Sequence, residues 1–185
     1  METKKIKKRM NKEDRMKQIL EAAMTVFVEK GFNASTTLEI AKVAEISEVT
    51  LFRNFSSKQE IFLKGIEPIL FSTLKQTIND SKELSPLGKL EYILYDRISL
   101  ISENREIIKL ILMESHLLTE LGNENFIEKI LKVLKNILTK IGIPKEDEEF
   151  TLRMLMGGIL SFLYMPETNE ENIKKYVKKI ISLIL

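Results

Sequence analysis

The chain has 185 residues, 44% hydrophobic and 30% charged, with a formal net charge of +2, a balance that fits a folded chain with a real core and excludes a disordered one. Its longest apolar run, MLMGGILSFLYM at 154–165, is shorter than the about 18 to 20 residues that span a bilayer, and no apolar stretch follows the charged N-terminus to make a secretory signal, so a cytoplasmic protein with no membrane segment is expected. There are no cysteines and one histidine, His116; this excludes disulfides and thiolate metal sites, and a zinc site built on His116 with Glu114 and Glu120 is a poorer reading than an ordinary helix histidine.

Charge is uneven along the chain. Residues 1–60 hold twelve Lys and Arg against nine Asp and Glu, the remainder seventeen against eighteen. Much of the excess is the run Lys4, Lys5, Lys7, Lys8, Arg9 and Lys12. Such an arm, residues 1–12, either lies along nucleic-acid phosphates or is a solvated, frayed terminus, and both readings stand.

Apolar residues recur at three- and four-residue spacing almost throughout, with no convincing alternating strand, so the fold class is all-α with about nine helices. The first is expected over about 11–30, with Met16, Ile19, Leu20, Ala23 and Phe27 on one face and Gly31 as its stop. Thr36 and Glu39 form a capping box that opens a short second helix, whose inner face is Ile40, Ala41 and Ala44. A tight turn leads to a third helix over about 48–54, N-capped by Ser47. The fourth opens at Ser57 with a box to Glu60 and runs to about residue 79, bent at Pro68.

The stretch SKELSPLG at 81–88 reads as a linker in which Ser85 and Pro86 start the fifth helix as N-cap and first helical residue. Asn104 is expected to cap a sixth helix to about residue 120. A seventh covers about 124–140, after Gly122. The eighth, about 145–165, is the least polar. The ninth, about 169–184, carries an apolar stripe of Ile173, Tyr176, Val177, Ile180, Ile181 and Ile184 opposite lysines, which marks a packing face.

The third helix does not look like an ordinary surface helix. At about 100° per residue, Leu51 and Phe55 share a buried face. The opposite side holds Val49 and Arg53, flanked by Thr50, Phe52 and Asn54. Guanidinium suits guanine, carboxamide suits adenine, and valine and threonine methyls suit the thymine methyl. Two short helices, a tight turn and an outward polar face make a helix-turn-helix.

The stretch FVEKGFNASTTLEIAKVAEISEVTLFRNFSSKQEIF resembles the DNA-binding domain of the tetracycline-repressor (TetR) family of bacterial transcription regulators, whose pattern is FxxxGF followed by TTxxIAxxAGVSxGTLYxHFxxKExL. NREIIKLILMES is similar to the family's sixth-helix pattern. The resemblance implies a DNA-binding domain over residues 13–60 and a helical regulatory and dimerisation domain over 61–185. It implies phosphate contacts from Thr36 or Thr37, from Ser47 and Glu48 at the start of the recognition helix, and from Lys58. Bases would be read by Val49, Thr50, Arg53 and Asn54, with Phe52 on the same surface. Glu45 stands where the family prefers glycine, Val49 where it has a small residue, and Phe52 where it has a tyrosine hydroxyl.

One short recognition helix covers too few base pairs, so a homodimer on a palindromic double-stranded operator is expected. Helices about 145–165 and 169–184 are the expected clamp. Gly157 and Gly158 suit close approach of a neighbouring helix, from a partner copy or from the same chain. The family uses the remaining helices for a small-molecule effector whose binding shifts the reading heads. Tyr92, Tyr95, Met113, Phe126 and Met154 are candidate lining residues, with Arg97, Glu114 and Arg153 as polar anchors, suggesting a hydrophobic or amphipathic effector. Catalytic triads, HExxH, GxxxxGK[ST] and GxGxxG are absent, so no catalytic residue, metal or cofactor is expected. The primary reading is a repressor released by its effector; the alternatives are a helical protein-interaction module and a ligand-independent DNA-organising protein.

Overall fold

The computed structural model describes residues 11–69, 73–114 and 126–185, with backbone only at 126 and 127. The basic run at residues 4–9, His116, Glu120, Gly122 and the Phe126 side chain lie outside this description. Ten helices and no strand occur among the described residues: α1 Lys12–Lys30, α2 Thr37–Val43, α3 Glu48–Phe52, α4 Lys58–Glu67, α5 Thr73–Asp80, α6 Pro86–Glu103, α7 Arg105–Met113, α8 Phe126–Ile141, α9 Glu148–Ser161 and α10 Glu170–Ile181. The all-helical expectation holds. None of these helices is long and apolar enough to cross a membrane.

The chain divides into two compact units between Gly65 and Ile66. In the first, α1 packs on α2 and α2 on α3. Its core includes Ile19, Ala23, Phe27, Ile40, Leu51 and Phe55. Phe27, Phe32 and Phe62 pack as a triangle with ring centroids 5.2–5.6 Å apart, tilted or edge-on as the aromatic quadrupole prefers. Met16 and Leu20 are only half-buried, whereas Ala22, Met24 and Val26 join the core. At Gly65 a Cβ would stand 2.7 Å from Met24 Sδ, so glycine there lets α4 lie close to α1.

In the second unit α6 is the central helix, packing on α5, α7, α8, α9 and α10. Its core residues Leu90, Ile93, Leu94, Ile98 and Ile101 are buried. Arg97 is 2% exposed. A buried guanidinium needs partners, and Arg97 pairs with Asp96 and donates to Thr77 Oγ1 at 2.9 Å and Thr73 Oγ1 at 3.3 Å. The network joins α6 to α5.

Several expected boundaries move. Within the expected fourth helix over 57–79 the described residues form α4, a π-helical turn at 68–69 and α5; Pro68 has no N–H to give the ladder. Ser57 caps α4 through the Glu60 N–H at 3.1 Å, but Glu60 reaches back to Ser56, at 2.6 Å from its N–H, rather than to Ser57. The third helix ends at Phe52, because the Asn54 N–H bonds the Leu51 carbonyl at 2.9 Å and tightens the last turn. Asn104 does not cap α7 with its side chain; its Nδ2 donates to the Leu100 carbonyl at 3.0 Å and so closes α6. α7 stops at Met113. The expected 145–165 helix shortens to α9, because the Phe162, Leu163 and Tyr164 N–H groups bond carbonyls three residues back. The last helix, expected over about 169–184, is α10. The Ser85 cap is as expected, accepting from the Gly88 N–H at 3.2 Å.

Candidate nucleic-acid interface

The helix-turn-helix is built by local hydrogen bonding. Thr36 Oγ1 accepts from the Glu39 N–H at 3.2 Å while Glu39 accepts from the Thr36 N–H at 3.0 Å, which completes the capping box and satisfies donors no helix can pair. α2 closes with Glu45 N–H on Lys42 O at 3.1 Å and Ile46 N–H on Ala41 O at 2.9 Å. This is the Schellman arrangement, which puts one residue in the left-handed region. That residue is Glu45, at φ 51°. Ser47 then caps α3, its Oγ 3.2 Å from the Thr50 N–H.

Three side chains lock this unit. Gln18 Nε2 on α1 donates to the Ala44 carbonyl at 2.8 Å. Thr37 Oγ1 donates to Glu48 Oε1 at 2.5 Å, tying the first turns of α2 and α3. Lys58 Nζ donates to the carbonyls of Phe32 at 2.7 Å and Ser35 at 2.8 Å, and lies 4.5 Å from the Phe32 ring centroid.

Leu51 and Phe55 are buried as expected, so the opposite side of α3 faces out. Val49 is 63% and Phe52 50% exposed. Arg53, the C-cap residue, is exposed, and its guanidinium makes no hydrogen bond or ion pair among the described residues. Thr50 is half-buried and shares a 2.9 Å hydroxyl pair with Ser47. Asn54 Nδ2 donates to the Thr50 carbonyl at 2.8 Å, so that amide closes α3 rather than standing free.

The candidate residues therefore separate into two sets. Val49, Phe52 and Arg53 present unengaged surface. Thr36, Thr37, Ser47, Glu48, Thr50, Asn54 and Lys58 are occupied in holding the motif, and Lys58, expected to meet a phosphate, has its ammonium on backbone carbonyls. Leu38, 64% exposed on α2, was missed from the sequence; its signal is an apolar residue lying off the Ile40, Ala41 and Ala44 stripe.

Two carboxylates of this unit are held below their ordinary value of 4.5. For Glu39 the main cause is the Lys30 ammonium, 2.5 Å away, followed by the Thr36 N–H. For Glu60 it is the Ser56 N–H.

The expected effector residues differ in exposure and in what they already contact. Tyr92, Tyr95 and Met154 are half-buried, and Lys174 Nζ lies 5.6 Å from the Tyr95 ring centroid. Met113 is 76% exposed and stands on the surface rather than in a pocket. Arg153 is likewise exposed and pairs with Glu149 one turn away at 2.7 Å, while Arg97 is committed to its buried network and Glu114 is buried. A cavity of about 690 Å³ lies between α5 and α8, and among the described residues none of these candidates lines it.

Residues 19–64 match the family described as bacterial regulatory proteins, tetR family. An uncharacterized helix-turn-helix-type transcriptional regulator of Bacillus subtilis, YvkB, is 46% identical over 76 residues, which cover 39% of this chain and 40% of that one. A second from the same organism, YhgD, is 30% identical over 134 residues, 72% of this chain and 69% of the relative. The chain spans 40% and 64% of the lengths of the first two curated relatives it matches. Among solved structures, the ketosteroid transcriptional regulator KstR2 of Mycobacterium tuberculosis has the same fold, with a TM-score of 0.75 at 20% identity over 92% of this chain and 94% of that one. Motif geometry, family match and the long alignment with YhgD agree that this chain belongs to the tetR family of bacterial transcriptional regulators.

Proposed function

We propose that the chain is a homodimeric DNA-binding repressor that leaves a palindromic operator when a small hydrophobic or amphipathic effector binds. The observation that carries the reading is the outward side of α3, where Val49, Phe52 and Arg53 are exposed on a helix otherwise pinned at both ends. Arg53 would read a base edge, Val49 and Phe52 would supply apolar contact, and Leu38 would extend the surface onto α2. The N–H groups at the start of α2 and α3, with Thr36, Thr37, Ser47 and Thr50 around them, would meet phosphates. Glu48, Asn54 and Lys58 would hold the motif in shape.

Residues 13–60 then serve as the reading head, 61–185 as the regulatory and dimerisation domain, and 1–12 as a basic arm. α4 is the covalent continuation between the two. The dimer would form through α9 and α10. Support comes from the outer side of α9, where Phe150 and, just beyond the helix, Tyr164 and Met165 are 68%, 79% and 70% exposed. Gly157 is exposed with nothing within 4 Å of where a Cβ would stand. Gly158 serves its own chain, since a Cβ there would meet Tyr176 Oη at 2.7 Å and Ile180 Cδ1 at 2.8 Å. The α10 stripe is likewise used internally: Ile173, Val177, Ile180 and Ile181 are buried in the single chain.

Selection of bound sequences from random duplex DNA tests the reading. A palindrome with half-sites spaced by about one helical turn or more is expected. Failure to enrich any sequence at low salt would overturn it.

A further inference from the structure

The reading head exposes three large apolar side chains, and the polar groups beside them are already in use. Leu38 on α2 and Val49 and Phe52 on α3 are exposed. Val49 and Phe52 stand three positions apart on one helix and so share a side. The Thr37–Glu48 hydrogen bond, 2.5 Å, joins the immediate neighbours of Leu38 and Val49, which sets these two residues at the junction of the first turns of α2 and α3. The Thr50 hydroxyl pairs with that of Ser47 at 2.9 Å, the Asn54 amide donates to the Thr50 carbonyl at 2.8 Å, and the Glu48 carboxylate accepts from Thr37. Lys42, one turn on from Leu38, and Arg53, one turn on from Val49, are exposed cations beside the apolar set.

Base edges in a major groove are hydrogen-bond donors and acceptors, with one apolar group among them, the C5-methyl of thymine. An apolar side chain laid on a donor or acceptor strips it of water and offers no partner in return. Laid on a methyl, it takes apolar surface of both groups out of water. We propose that Leu38, Val49 and Phe52 read thymine C5-methyl groups, so that thymines placed against this surface carry much of the sequence preference of each half-site. Lys42 and Arg53 supply the flanking positive charge that a duplex requires. The assignment rests on the DNA-binding reading above and names the base chemistry its operator must offer. Cytosine carries a hydrogen where thymine has its methyl, and a purine opposite the same side chains presents hydrogen-bonding groups that they leave unpaired.

The test uses a duplex recovered from random DNA by selection on the full chain. It is remade with deoxyuridine for thymidine at one position of each half-site at a time, which deletes a methyl and changes no hydrogen-bonding group. Burial of one methyl corresponds to about fourfold in affinity, so a contacted position changed in both half-sites should weaken binding by about tenfold. At least two positions per half-site should respond. Leu38→Ala with Val49→Ala should bind the thymidine duplex about tenfold or more weakly, and should bind it and its deoxyuridine counterparts within about twofold of each other. Both side chains are exposed and alanine is the better helix former, so the variant keeps its fold, checked by its melting temperature. Full affinity for every deoxyuridine duplex would overturn the proposal. So would a deoxyuridine penalty of the same size in the double variant, because the methyl would then act through another residue or through duplex shape. A recovered duplex that is indifferent to deoxyuridine sinks only the thymine assignment, whereas failure to recover any duplex at low salt sinks the DNA-binding reading and this assignment with it.

Discussion

Lys58 holds Phe32 twice: its ammonium donates to the Phe32 carbonyl at 2.7 Å and lies 4.5 Å from the centroid of the same residue's ring. A third interaction, with the Ser35 carbonyl at 2.8 Å, makes the first turn of α4 a clasp on the loop between α1 and α2. Hydrogen bonds from a charged donor contribute about 1.5 to 3 kcal/mol each, and they do not add independently. Lys58→Met is therefore expected to lower stability by about 1 to 3 kcal/mol in denaturant titration. Because the ammonium is held on carbonyls, the slope of log K against log salt for DNA binding should stay unchanged. A slope shallower by about one would show the ammonium reaching a phosphate in the complex.

Arg53 is exposed on the α3 face and makes no ion pair among the described residues. Arg53→Ala should cost about 1 to 3 kcal/mol at the selected operator and relax the preference at one position of each half-site. A uniform loss across all sequences would make Arg53 a phosphate contact instead.

The end of α2 and the end of α8 use the same Schellman geometry with different residues. At α8 the left-handed position is Gly142, φ +87°, with the Ile143 N–H on Leu138 O at 3.1 Å. At α2 it is Glu45, φ 51°, which carries a Cβ into a region that glycine occupies without strain. Glu45→Gly is expected to raise stability by about 1 kcal/mol or less, read as a higher melting temperature. A lower one would mean the glutamate carries a compensating interaction.

Glu39 makes the stability of the reading head pH-dependent. Its folded-state value is depressed, first by Lys30 and then by the Thr36 N–H, so its contribution is complete above the unfolded-state value and is lost as pH falls through the folded one. The melting difference between the natural chain and Glu39→Gln should be largest near about pH 6 and close towards about pH 3. A difference constant across that window would remove the ion pair from the account.

Gly157 separates partner contact from intrachain packing. Nothing lies within 4 Å of its missing Cβ, so Gly157→Glu should leave the monomer fold intact, or slightly firmer through better helix propensity. Two such carboxylates brought together across a two-fold axis should weaken the proposed dimer by about tenfold or more in sedimentation equilibrium. An unchanged dimer would place its interface elsewhere.

The sequence by itself determined the parts whose partners lie within a few residues. Thr36 finds Glu39, Ser47 finds Thr50 and Ser85 finds Gly88 because a capping side chain and its N–H are three positions apart in any helix start. The buried side of α3 was equally legible, since one periodicity places Leu51 and Phe55 together and leaves Val49 and Arg53 opposite. Glu45 was marked only by the resemblance, as standing where the family prefers glycine; its left-handed φ of 51° came from the structure. Only the tertiary structure decided where Lys58 spends its charge, because its acceptors are 23 to 26 positions away. The same holds for the buried Arg97, for the α10 stripe that looked available and is covered by its own chain, and for the groove between α5 and α8. A helix wheel tells which side chains share a face, but the burial and charge that a face meets come from whichever distant segment packs against it.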